Sequence, residues 1–191
     1  MDVGMIIFLV VVVFVIGYAV VIYNNLVNLK HAVSQAWSNI DVLLKQRHDE
    51  IPKLVETCKQ YMKFEKETLE KVMQARNQVS AARQSQDIPS LGNAEGMLRM
   101  GLGNLFAVAE AYPELKANEN FQHLQGRISA LESAIADRRE FYNESVNINN
   151  TRIEQFPDII IARLLNFTAR DLLVFAEHEI QDVNVKQLFN E

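Results

Sequence analysis

Val3–Tyr23, VGMIIFLVVVVFVIGYAVVIY, is 21 residues long without one charged side chain, and after Asp2 the next charge is Lys30. At a helical rise of about 1.5 Å per residue it spans roughly 30 Å, the thickness of a bilayer's hydrocarbon core. A cleaved signal peptide needs a basic leader, a short apolar stretch and a small-x-small cleavage site. This chain has Met1-Asp2, a longer run, and Val20-Val21-Ile22-Tyr23 at the far end. A lipoprotein anchor needs a cysteine at that junction, and the single cysteine is Cys58. Residues 1–23 therefore read as a retained, single-pass transmembrane anchor whose partner is the lipid bilayer. Tyr18 and Tyr23 suit the headgroup level. The first basic residues beyond the span are Lys30, Lys45 and Arg47, which favours a cytoplasmic location for the rest of the chain. Gly4 and Gly17 lack GxxxG spacing, so the anchor itself carries no packing motif for a dimer.

The remainder, about 168 residues, suffices for one domain. With 24 acidic and 19 basic residues, net −5, the chain is a poor partner for nucleic acid. One cysteine excludes a disulfide framework within the chain. Seven glycines and four prolines make a helical composition.

Downstream of the anchor, apolar residues recur at steps of three and four: Val33, Trp37, Ile40, Leu44, Ile51, Leu54, Cys58, Met62, Leu69, Val72 and Val79. Arg47, Glu65 and Arg76 interrupt the stripe while keeping its step. The pattern predicts one long helix from Lys30 to Arg83, continuous with the anchor and packed along one seam. Pro52 lies inside it and predicts a bend. Residues 84–90 read as a loop. A second helix carries Leu91, Leu98, Leu102, Leu105 and Ala109, and its glycines 92, 96, 101 and 103 serve either close approach or mobility. Tyr112-Pro113 ends it. A third helix begins at the candidate cap Asn118 and runs through Phe121, Leu124, Ile128, Leu131, Ile135, Tyr142, Val146 and Ile153, with Arg138 and Asn149 at seam positions. Pro157 suits the first turn of a fourth. Short connections predict an all-α fold: the anchor, then an elongated antiparallel four-helix bundle with coiled-coil-like seams over residues 24–170. Residues 171–191 form a hydrophobic tail, expected to dock on the bundle or on another copy.

Three ordered blocks carry a family likeness. They are YNNLVNLKHAVSQAWSNIDVLLKQRHDEIPKLVETCKQY from Tyr23, LFAVAEAYPELKANENFQHLQ from Leu105 and RREFYNESVNINNTRIEQFP from Arg138. Together they resemble the LemA family of bacterial membrane proteins. The resemblance implies a short N-terminus, one transmembrane helix and a helical bundle domain in the cytoplasmic (inner) membrane; it implies no catalytic activity. Glu50, where an apolar residue is common, and Ile148, where a second tyrosine–asparagine pair is usual, depart from the family's wording.

The residues singled out for structural or interaction roles are few. Arg47, Asp49 and Pro52 belong to a charged block beside the expected bend, with Arg47 in an ion pair on the seam and Asp49 and Glu50 solvated. Glu110, beside Tyr112 and Pro113, is expected to pair across the bundle with Arg47, Arg76 or Arg138. Tyr142, Asn143 and Asn149 are read as core hydrogen-bonding groups. No cofactor is expected: His31, His48, His123 and His178 lack metal-ligand spacing, and no nucleophile motif or phosphate loop occurs. The functional expectation is a non-enzymatic membrane scaffold acting by homo-oligomerisation and recruitment, which extends to membrane shaping. The alternative is an accessory subunit of a membrane protease or transport system, bound through the 47–52 block.

Overall fold

In the computed structural model, which describes residues 2–175, the protein is all-α, with no strand among the described residues. Six helices follow in order: α1 (Val3–Tyr61), α2 (Lys66–Ser85), α3 (Ile88–Ala109), α4 (Pro113–Lys116), α5 (Glu119–Glu154) and α6 (Asp158–Leu164). The expected antiparallel bundle is present, preceded by a single long apolar helical segment. The later tail residues Ile180, Val183, Leu188 and Phe189 lie outside the described residues.

α1 runs 59 residues without a break, through Pro52, so one helix holds both the apolar N-terminal segment and part of the bundle core. Its N-terminal stretch is the one segment long and apolar enough to cross a membrane among the described residues, with a mean hydropathy of 3.3 and almost no burial against the protein. The expected single helix from Lys30 to Arg83 is corrected: it is two helices. α1 ends at Tyr61, and residues 62–65 reverse the chain into α2. Nothing in Met62-Lys63-Phe64-Glu65 announces the reversal, since Glu65 makes no side-chain cap bond and no proline or glycine is present. The apolar step survives it, from Met62 to Leu69, because both arms of the hairpin face the same core.

The chain forms two compact units, and α1 and α5 each contribute to both. One unit is Asp41–Asp137 with the described residues from Leu173 on. Here the C-terminal part of α1, α2, α3 and the N-terminal part of α5 make a four-helix bundle. Ile51, Leu54, Val72, Leu91, Leu98, Leu105 and Phe121 are its buried centre. An ion pair between Arg83 and Asp41 at 3.1 Å fixes α2 antiparallel to α1. The predicted 84–90 loop shrinks to two residues. Gln86 takes a left-handed backbone, φ 55°, that ends α2, and Asp87 caps α3 by accepting the Ser90 N–H at 3.0 Å. Asn118 caps α5 by accepting the Phe121 N–H at 3.0 Å, and donates to the Tyr61 hydroxyl at 3.1 Å. Leu173 and Phe175 are buried in this unit. Their strand of chain passes so close to α3 that a methyl group on Gly92 would lie 2.0 Å from the Val174 carbonyl oxygen.

The other unit is the chain up to Ile40 with Arg138–Leu172. Ile22 and Leu26 of α1 form a buried cluster with Ile153 of α5 and Ala162 of α6, flanked by Ile161 and Phe167. Trp37 meets Tyr142 edge to face at 5.9 Å.

Candidate functional site

The four-helix unit has a charged centre. Arg47 is 1% exposed, among the most buried large side chains in the molecule. Its place in the stripe, seven residues before Leu54, aims it inward from α1. One guanidinium nitrogen, Nη2, pairs with the equally buried Glu95 of α3, and Nη1 pairs with Glu132 of α5 at 2.6 Å. A single cation thus joins three helices. Burial acts to lower the Arg47 pKa, but the charges of Glu95 and then Glu132 outweigh it and hold the guanidinium above its ordinary value. Nε makes no hydrogen bond.

One turn along α1, Glu50 is also buried. It accepts from Lys53 on its own helix at 3.2 Å and forms an ion pair with Arg127 of α5 at 3.2 Å. Its expected solvation is therefore corrected, while Asp49 is exposed as expected. Pro52 accounts for the link to the fourth helix. A proline has no N–H to give the carbonyl four residues back, which here is that of His48. Arg76 of α2 supplies the donor instead, from Nε at 2.8 Å. Removing that donor with Arg76→Ala should cost about 1 kcal/mol, the low end of the penalty for a bare acceptor, since the bond is only part-buried. In a Pro52→Ala background, where residue 52 regains its N–H, the same change should cost clearly less. A double-mutant cycle by thermal denaturation checks it, and equal costs in both backgrounds would refute the compensation.

His48 packs against this joint with its Nδ1 buried and unbonded. Burial first, then the neighbouring positive charge of Arg76, pushes its pKa below the ordinary imidazole range, against the weaker pull of Asp49. The unfolded chain titrates near the ordinary value of about 6.5. The stability that neutral His48 contributes is therefore complete above that pH and lost as pH falls through the lower folded value. Melting temperatures at pH 7 and pH 5 should diverge more for the native protein than for His48→Asn. A variant with the same acid sensitivity would exclude this histidine as the cause.

The other singled-out residues are dispersed. Glu110 is exposed and pairs with Lys116 at 2.5 Å, not with Arg47, Arg76 or Arg138. Tyr112 donates its hydroxyl to Glu65 at 3.2 Å, and Pro113 opens α4. Arg138 is exposed, which corrects its seam position. Tyr142 is buried and donates to the Asp171 carbonyl at 3.0 Å; Asn143 beside it is half-buried. Asn149 is buried and donates to Asn150 at 3.2 Å.

Two members of the charged centre, Glu95 and Glu132, escape a reading based on apolar residues alone. Yet Glu95 stands four after Leu91 and three before Leu98, on the step of its own stripe. A carboxylate in that register is a signal for an inward-facing charge. The carboxylates of the centre face cations, and further along α1 burial pushes the Cys58 thiol up to about 12. Among the described residues no three His, Cys, Asp or Glu side chains are grouped to hold a metal ion. The arrangement links α1, α3 and α5 through one guanidinium.

Comparison with known proteins places this architecture. Magnetosome protein MamQ 2 of Paramagnetospirillum magneticum is 31% identical over 104 residues, 53% of this chain and 38% of that protein. Magnetosome protein MamQ of Magnetospirillum gryphiswaldense is 30% identical over 78 residues, 41% of this chain and 29% of that protein. The chain thus spans well under half the length of these MamQ relatives. Protein LemA of Metamycoplasma hominis is 27% identical over 168 residues, 87% of this chain and 75% of that protein. The LemA family model matches residues 36–187, from the α1 seam through the bundle and beyond α6, and the chain belongs to the LemA family.

Proposed function

We propose that this protein is a membrane-anchored, non-enzymatic helical scaffold that acts by self-association and by recruiting partners beside the bilayer. The observation that carries the reading is the continuity of α1. An exposed apolar segment of bilayer length passes into the buried seam of the bundle with no linker between them. The bundle's inward-facing charges are engaged in pairs between helices, an arrangement suited to specifying structure. The relatives' names, LemA and magnetosome protein, specify no reaction. In this reading the anchor spans the bacterial cytoplasmic membrane once, with the bundle on the cytoplasmic side.

The accessory-subunit alternative takes the 47–52 block as a docking surface. Arg47, Glu50 and Ile51 are buried there, so the block is committed to the bundle's own core. Electron microscopy of the intact protein in lipid, with native mass spectrometry, tests the scaffold. Oligomers of intact chains are expected; a monomer in lipid, or a product lacking the residues before Tyr23, would overturn it.

A further inference from the structure

α6 leaves a row of large apolar side chains in the open. Phe156, Ile160 and Leu164 stand four apart, on one side of the helix and its lead-in, and are 82%, 56% and 73% exposed. The opposite side of α6 packs, through Ala162, onto Ile22 and Leu26 of α1. Those two α1 residues flank Tyr23, the last residue of the apolar segment, and Tyr23 meets Phe167 edge to face at 6.2 Å. α6 therefore sits beside the level at which α1 would leave a bilayer.

A cavity of about 470 Å³ opens at the same level, lined by Tyr23, Lys30, His31, Asn149, Asn166 and Arg170 among others. Its cationic groups come from two different parts of the chain. Lys30 lies seven residues past Tyr23, about 10 Å along the helix, just outside a headgroup layer about 5–8 Å deep, and its long side chain can reach back to that layer. Asn150 fixes Arg170 in place by accepting its backbone N–H at 2.9 Å and donating to its carbonyl at 2.8 Å. The buried carboxylate of this unit, Asp158, is occupied by Arg152 at 2.6 Å. Asp171, next in the chain, is exposed and accepts the Tyr142 hydroxyl through its backbone. Polar amides and two cations around a hollow, beside an uncovered apolar row, match the two halves of a phospholipid.

We infer that α6 and this cavity form a lipid-headgroup site: Ile160 and Leu164 enter the interfacial layer, while Lys30, His31 and Arg170 receive the phosphate of an anionic phospholipid. The inference rests on α1 being a membrane anchor. It adds a second point of contact with the bilayer and a preference among lipids.

The native cysteine suits the test, since Cys58 is buried and its thiol stays protonated. Spin labels on Leu164→Cys and, as an aqueous control, Gln35→Cys are placed in the full chain in phosphatidylcholine–phosphatidylglycerol vesicles. The label at 164 should be relaxed more by oxygen than by a polar nickel complex, and the label at 35 the reverse. Equal nickel accessibility in protein that resists carbonate extraction would overturn the site and leave the anchor standing. Protein released by carbonate would overturn both. Native mass spectrometry then reads the lipid retained. Phosphatidylglycerol should be held in preference to phosphatidylcholine, and retention should fall about fivefold for each charge lost in Lys30→Gln and Arg170→Gln. Unchanged retention in the double variant, or displacement of the lipid by inorganic phosphate alone, would overturn the headgroup assignment.

Discussion

Replacing Arg47 with alanine is expected to destabilise the four-helix unit by about 3–5 kcal/mol, the cost of stranding buried charges without their partner. The change leaves Glu95, 2% exposed, and Glu132, 26% exposed, facing the hollow left by the guanidinium. A domain's whole margin is about 5–15 kcal/mol, so the variant should lose most of its resistance to heat or denaturant. The informative companion is Arg47→Met with Glu95→Leu and Glu132→Leu. Burying two or three charges costs desolvation that the pairing only offsets, so apolar replacements of similar volume should restore stability to the native level or above it. Circular dichroism melts of the detergent-solubilised protein measure both. A triple variant no better than Arg47→Ala would show that the charged cluster contributes net stability of its own.

The second large effect is expected at Gly92, where a β-carbon would lie 2.0 Å from the Val174 carbonyl oxygen and 3.1 Å from the carbonyl carbon. The obstacle is backbone, so no rotamer change relieves it. Gly92→Ala should cost about 3 kcal/mol, the upper end of the range for overpacking, and release the chain around Leu173 and Phe175. Hydrogen exchange should quicken at residues 172–175 while the α1–α5 seam keeps its protection. Gly103 is the control, because nothing lies within 4 Å of a β-carbon there. Gly103→Ala gains only the helix preference of alanine, up to about 1 kcal/mol. If both alanines behave alike, close approach is not what holds glycine at 92.

Much of this architecture was legible in the residues. The stripe through Val33, Ile40, Leu44, Ile51 and Leu54 is buried in the structure. The caps at Asn118 and the breaks at Tyr112-Pro113 and Phe156-Pro157 fall where helices end or begin. What escaped did so for identifiable reasons. Periodicity reports which face is apolar and is silent about direction, so a hairpin that preserves the step across Met62 and Leu69 reads as one rod. Burial of Glu50 depends on Arg127, 77 residues away by number, and no local pattern announces such a partner. Arg138 sits on the step of its helix yet lies in solvent, because a stripe defines an arc only to within about one residue. The charged centre is half visible in the sequence: Arg47 stands in its stripe, whereas Glu95 falls among leucines in a stripe defined by apolar residues.

Four residues, Met62 to Glu65, turn α1 back into α2, and at that bend Phe64 is 93% exposed while Met62 is fully covered. At the tip Lys63 and Phe64 lie in solvent, whereas Met62 is buried and Glu65 accepts the Tyr112 hydroxyl. Foreign sequence spliced between Lys63 and Phe64 would enter at the two exposed residues of the turn, away from the charged centre, which makes this corner the natural mount for a tag or a fiducial domain in imaging the protein in lipid.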